Sequence, residues 1–175
     1  MKNTKIINLF GPPGVGKSTG AAYIFSYLKL LGKDCELVTE FAKDKVWEHN
    51  SKVFKNQLYM LGKQSWKIAR VMNEVDYIIT DSPIVLSYIY TNEEHVKKAA
   101  IEEFLKYSNN NINFLLTREK EYNPNGRNET LEESDDIGMK IKGILDYYNL
   151  IHFKVKGNED GYKNIIEKIL KIKEI

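Results

Sequence analysis

Short runs of β-branched and aromatic residues alternate along this chain with longer stretches whose apolar residues recur every three or four positions. That alternation predicts βαβ units built on a parallel sheet. Lys5–Phe10 reads as the first strand, and Lys17 to Leu31 as a helix that Gly32 closes. A second strand covers Cys35–Thr39. Glu40 to Asn73 is mostly helical, with a break near Asn50-Ser51. A third strand, Asp76–Thr80, runs into Asp81, and Pro83 opens the next helix, where its missing N–H costs little. A helix over Glu93–Tyr107 and the polar link Ser108 to Asn111 lead to a fourth strand, Ile112–Thr117. Arg118 to Glu129 carries Pro124, Gly126 and several Asn, the composition of a loop. Thr130 and Glu133 have capping-box spacing. The helix they start repeats its apolar residues at Ile137, Ile141, Ile144, Leu145 and Tyr148. Ile151–Val155 forms a fifth strand, and a helix over Glu159–Lys173 follows it.

The pattern therefore predicts an α/β fold: a five-stranded parallel sheet with helices on both faces and a small lid loop at about 118–130. Repeats, low-complexity tracts and linkers are absent from the sequence, so residues 1–175 are expected to form one domain. Composition changes this little. A net charge of +2 with 29% charged residues gives no support for broad nucleic-acid binding. Cys35 is the sole cysteine and falls at a strand start, which suits a buried thiol in a reducing compartment. No run approaches the ~18 apolar residues of a membrane span, and the first residues enter a strand without a leader pattern. A cytoplasmic, non-membrane protein is the expectation.

Candidate chemistry concentrates directly after the first strand. Gly11, Pro12, Pro13, Gly14, Val15, Gly16, Lys17, Ser18 and Thr19 fit G-x-x-x-x-G-K-[ST] at every fixed position, between a strand and a helix. Such a loop turns backbone N–H groups inward around anionic oxygens, and the following helix adds its positive end. Lys17 is expected on the outer phosphates of ATP and the Ser18 hydroxyl on Mg²⁺. Together with the strand pattern, this specifies a P-loop NTPase core. Ligands of open parallel sheets gather beyond the carboxyl ends of the strands, which singles out Glu40, Asp81 and Arg118 as well.

Asp81 could hold Mg²⁺ directly or through water, or it could cap the helix ahead of Pro83. Glu40 could take the proton of an acceptor hydroxyl, or serve as a first-turn acid favoured by the helix dipole. Gln57 and Gln64 lie seven apart on one helix face and, with Phe41, are candidates for holding a planar substrate; core packing or solvated surface is the alternative. Tyr59 and Trp66 offer further stacking surfaces. Arginine occurs only at Arg70, Arg118 and Arg127, and two of these bracket the loop after the fourth strand. A guanidinium grips phosphate oxygens in bidentate fashion, so Arg118 and Arg127 would suit a lid that closes on a moving phosphoryl group.

With these residues in view, the chain resembles the small P-loop kinases, specifically the AAA-like P-loop group containing the ribosylnicotinamide-kinase domain of NadR-type proteins. The match runs through the phosphate loop, Thr39-Glu40-Phe41-Ala42-Lys43, Gln57 to Gln64 and Thr80-Asp81-Ser82-Pro83, roughly residues 5–90. The chain is also similar, more weakly, to deoxynucleoside kinases, where a Glu after the second strand acts as base and a helix Gln reads the nucleobase. It departs from them at Ser82, where those enzymes carry Arg. The resemblance implies a Mg²⁺/ATP-dependent phosphotransferase with a nucleoside or nucleotide-like small-molecule acceptor. A kinase acting on DNA or RNA, for example on a hydroxymethylated base, and a slowly hydrolysing nucleotide switch are the rival readings.

Overall fold

The structure, a computed structural model, describes residues 2–41, 45, 51–125 and 129–172. Five strands, β1 (Lys5–Phe10), β2 (Cys35–Val38), β3 (Tyr77–Thr80), β4 (Asn111–Thr117) and β5 (His152–Lys156), form one sheet in the order β2-β3-β1-β4-β5. All four pairings are parallel. The connecting helices are α1 (Lys17–Leu30), α2 (Gln57–Ala69), α3 (Glu94–Leu105), α4 (Leu131–Tyr147) and α5 (Glu159–Ile172). Placing β1 between β3 and β4 puts the loop that follows it at the middle of the sheet's carboxyl edge, where strand order reverses.

Side chains alternate across the central strands because a strand has a period of two. Ile7 and Leu9 of β1, Tyr77 and Ile79 of β3, and Ile112, Phe114 and Leu116 of β4 face α1 and α5. Ile6, Phe10, Ile78 and Leu115 face the other way, onto α2, α3 and α4. Buried polar side chains interrupt that second face. The Asn8 amide donates to the side-chain oxygens of Asn111 (2.9 Å) and Asn113 (3.0 Å). Asn8 and Asn113 are direct neighbours in the β1–β4 register. A slip by one residue would bury these amides without partners, so the trio reinforces that register.

The periodic helix of the sequence is found as α4, with Ile141 and Leu145 buried and Ile137, Ile144 and Tyr148 packed beside them. Its capping box is complete: Glu133 N–H donates to Thr130 Oγ1, and Thr130 N–H to the Glu133 carboxylate. Cys35 is buried, and burial pushes its thiol up from the ordinary range. Several expectations shift, most by one or two residues at an element's end. Pro83 precedes a short 3-10 helix, Ile84–Tyr88, rather than an α-helix, and its own backbone is extended. The fifth strand is shifted by one residue at both ends from the expected Ile151–Val155, because its parallel pairing with β4 runs from Asn113–His152 to Thr117–Lys156. Within the helical stretch after β2, a 3-10 turn at Ser51–Lys55 and an Asn56 cap precede α2; residues 42–44 and 46–50 lie outside the described residues.

Candidate functional site

The loop from Gly11 to Gly16 rises from the end of β1 and is anchored by Val15, which is fully buried in the α1-side core. Gly16 caps α1 with φ 103°, a conformation that an L side chain rarely adopts. Lys17 begins α1 and turns back over the loop, its Nζ donating to the carbonyls of Gly11 (2.7 Å) and Pro12 (3.0 Å). The ammonium is thus held on the loop by main-chain carbonyls. Ser18 and Thr19 are exposed on the first turn of α1. The amino end of α1 has no acidic side chain in its first turn and no side-chain cap, so its first N–H groups remain available for an anion.

Two distant helices hold the outside of this loop. On one side, Ser134 of α4 is completely buried and donates to the Pro13 carbonyl at 2.8 Å. Arg118, just past β4, donates through Nη2 to Ser134 Oγ (2.6 Å) and to the same carbonyl (3.4 Å). Its Nη1 pairs with Asp135 at 2.7 Å. On the other side, the Tyr162 hydroxyl of α5 donates to the Gly16 carbonyl at 2.9 Å. Tyr162 reaches it across Gly20, where a Cβ would stand 2.6 Å from the ring. Ser134, Gly20 and Tyr162 were not singled out from sequence. Ser134 is one polar residue among many on an amphipathic helix, and nothing local marks Tyr162.

The ends of β2 and β3 make the neighbouring wall. Asp81 is buried, and one of its carboxylate oxygens accepts the main-chain N–H of Glu40 at 3.1 Å. Gln64 of α2, also buried, accepts the Phe41 N–H (3.1 Å) and donates to the Ser82 carbonyl (3.0 Å). Adjacent N–H groups of the segment after β2 are thus fixed by Asp81 and Gln64. Gln64 therefore spends its amide on backbone, whereas Gln57, at the start of α2, donates to the Phe54 carbonyl at 2.7 Å and is only half-buried. Phe41 packs edge-on against Tyr59 (5.8 Å between centroids), and the Lys67 ammonium stands 5.9 Å from its ring centroid. Trp66 is 65% exposed. Tyr90, which follows the 3-10 turn after Asp81, was also missed by the sequence reading. Although the residue as a whole is 47% exposed, desolvation around its hydroxyl, and then the Glu40 and Glu129 carboxylates, push its phenol above the ordinary tyrosine range.

The expected lid is described through Asn125 and from Glu129 onward; Arg127 lies outside the described residues. The Tyr122 hydroxyl donates to the Glu129 carbonyl, joining the two ends of the segment. The Tyr122 ring lies 5.3 Å from the Arg118 guanidinium. Arg118 belongs to the loop's fixed base, since both its terminal nitrogens are bonded to α4 or to the phosphate loop.

Among the described residues no group of three or more His, Cys, Asp and Glu gathers as a metal site. A site for Mg²⁺ needs less than that, because the ion is satisfied by one or two protein oxygens, phosphate oxygens and water. The exposed Ser18 hydroxyl and the Asp81 carboxylate, both hard oxygen donors, fit that requirement. No described helix is long and apolar enough to cross a membrane.

A family model described as an AAA domain matches residues 6–160. No curated protein matches the chain. Two similar solved structures are both of deoxyadenosine kinase from M. mycoides, one with the products dCMP and a flexible dCDP bound and the other with dATP. Each is 19% identical, aligns over 97% of this chain and 100% of its own, and has a TM-score of 0.56. The expected likeness to deoxynucleoside kinases is thus present in the fold. The NadR-type resemblance rests on the sequence motifs alone.

Proposed function

The chain belongs to the AAA domain family, and from that premise we propose that it is a Mg²⁺/ATP-dependent phosphotransferase whose acceptor is a nucleoside or nucleotide-like small molecule. The observation that carries this reading is the bond between Glu40 N–H and the Asp81 carboxylate. A nucleotide switch requires the phosphate loop and a metal site. This chain also builds a second wall, in which the carboxylate-bearing end of β2 is held against the end of β3, one strand away from the loop.

In this reading Lys17 exchanges the carbonyls of Gly11 and Pro12 for β- and γ-phosphate oxygens. Ser18 and Asp81 would hold Mg²⁺, which supplies charge neutralisation on the phosphates when bound. Glu40 orients the acceptor hydroxyl and takes its proton. Phe41 and Gln57 border the acceptor, while Gln64 acts on it through Phe41. Phosphoryl transfer asks the protein mainly for positioning and charge stabilisation, so fixing Glu40 and Phe41 by their main chain serves the reaction directly. Arg118 steadies the phosphate loop and keeps a cation at its rim; Arg127 is the lid arginine proposed to meet the moving phosphoryl group. A cytoplasmic setting suits the single buried thiol and the ATP requirement.

The test is a screen of nucleosides, nucleotides and oligonucleotides with γ-labelled ATP, with Lys17→Ala as the folded control. Label should move to a nucleoside or nucleotide and vanish in the control. Label found in oligonucleotides would favour a nucleic-acid kinase. Label released only as inorganic phosphate would overturn the transferase reading.

A further inference from the structure

The phosphate loop is held from outside by two side-chain hydroxyls that belong to no recognised motif. Ser134 gives its proton to the Pro13 carbonyl, and Tyr162 gives its proton to the Gly16 carbonyl. These groups come from α4 and α5, on opposite sides of the loop, more than 100 residues away in sequence. Both are buried, at 0% and 4% exposure. Burial also pushes the Tyr162 phenol up, so it keeps its proton and remains a donor.

The peptide plane gives these contacts a consequence. No peptide bond in the described chain is cis, and in a trans peptide the C=O and the next N–H point in opposite directions. A Pro13 carbonyl tied to α4 therefore turns the Gly14 N–H away from α4. The Gly16 carbonyl accepts the Gly20 N–H of the first turn of α1 at 2.8 Å as well as the Tyr162 hydroxyl, so Tyr162 adds a second hold on the peptide plane that carries the Lys17 N–H, one of the unsatisfied donors at the start of α1. We propose that Ser134 and Tyr162 are positioning residues for phosphate binding, which pre-orient loop amides by pinning the carbonyls of the same peptide planes. The inference rests on the phosphate-site reading of the loop, and it deepens that reading.

Arg118 reinforces the α4 side. It donates to the same Ser134 oxygen that donates to Pro13, and Asp135 holds its other nitrogen. Gly138, one turn after Ser134, would place a Cβ only 3.4 Å from the Pro12 ring, so α4 seats closely on this part of the loop. Gly20 plays the matching part on the α5 side by leaving room for the Tyr162 ring. A loop ordered before the ligand arrives spends less binding free energy on ordering itself.

The probe is inorganic tripolyphosphate, which has neither base nor sugar and reports on the loop alone, with ATP measured in parallel. Tyr162→Phe removes one hydroxyl and keeps the ring; Ser134→Ala removes the other. Each should weaken tripolyphosphate and ATP by a similar factor of about three- to tenfold, the worth of one oriented hydrogen bond. Each should also raise KM for ATP more than it lowers kcat; the ligand-free Tm should be nearly unchanged in Tyr162→Phe, where the Gly16 carbonyl keeps the Gly20 N–H, and lower in Ser134→Ala, which takes a buried hydroxyl from Pro13 and Arg118. Ser134→Thr, which retains a hydroxyl, should recover most of the affinity. Unchanged tripolyphosphate affinity in folded Tyr162→Phe and in the double variant would overturn the proposal and leave the phosphate site standing. Failure of the wild-type protein to bind tripolyphosphate or ATP would overturn both. If Ser134→Ala does not fold, Tyr162→Phe decides alone.

Discussion

Replacing Gln64 by Leu separates a side chain that reads the acceptor from one that holds the wall of the site. Leu is close to Gln in volume and shape, so the cavity cost is small. The loss falls on two hydrogen bonds, Phe41 N–H to Gln64 Oε1 at 3.1 Å and Gln64 Nε2 to the Ser82 carbonyl at 3.0 Å. Gln64 is 5% exposed, so the groups left behind lie at a nearly dry contact. Each orphaned buried group costs about 1–3 kcal/mol. Phe41 is only half-buried, so water relieves part of this; the expected total is about 2–4 kcal/mol. For a chain of this length that lowers Tm by about 5–15 °C. Releasing Phe41 also loosens its neighbour Glu40, and a misplacement near 1 Å can cost up to about 100-fold in rate. Turnover should therefore fall by about 10- to 100-fold, while tripolyphosphate binding at the separately anchored loop stays within about twofold of wild type. Thermal melting, titration and steady-state kinetics on one preparation test this. An unchanged Tm with a raised acceptor KM and normal kcat would refute the reasoning, since it would mean that Gln64 contacts the acceptor.

Three further perturbations test other parts of the site and fold. Asp81→Asn keeps an oxygen for Glu40 N–H but removes the charge; Tm should hold within a few degrees while activity falls sharply or needs much more Mg²⁺, and lost stability with an unchanged Mg²⁺ response would make Asp81 a purely structural anchor. Arg118→Lys keeps a cation beside Asp135 but not the fork that serves Ser134 and Pro13, so it should slow turnover, and Arg118→Ala should slow it more; equal rates in both variants and wild type would remove Arg118 from the reaction. Lys106 and the Ser65 hydroxyl hold the Glu103 carboxyl below its ordinary range. A depressed folded-state carboxyl contributes stability above its unfolded range that is lost as pH falls through it. Wild-type Tm should therefore drop more than that of Glu103→Gln as pH is lowered through the carboxylate range, and parallel melting curves would refute the Lys106 and Ser65 contacts as a source of stability.

Local chemistry wrote much of this protein into its sequence. The phosphate loop was legible because strand, glycines, Lys17 and helix must occur contiguously for backbone amides to surround an anion. Strand alternation and the α4 capping box were legible for the same reason, since their causes act over a few residues. The sheet rule also picked out Glu40, Asp81 and Arg118, because a carboxylate or guanidinium at a strand's end stands beside the ligand edge whatever the rest of the chain does. Tertiary structure decided what each of them touches. Gln64 turned out to bond the backbone of two other segments, and Arg118 to join the phosphate loop to α4. Only strand order brought Asp81 to the main chain of Glu40. Ser134 and Tyr162 reached the loop from beyond residue 130 because α4 and α5 flank β1 on opposite faces of the sheet. A hydrogen bond takes its value from the burial and geometry of both partners, and when those partners lie 100 residues apart the chain's local pattern specifies neither.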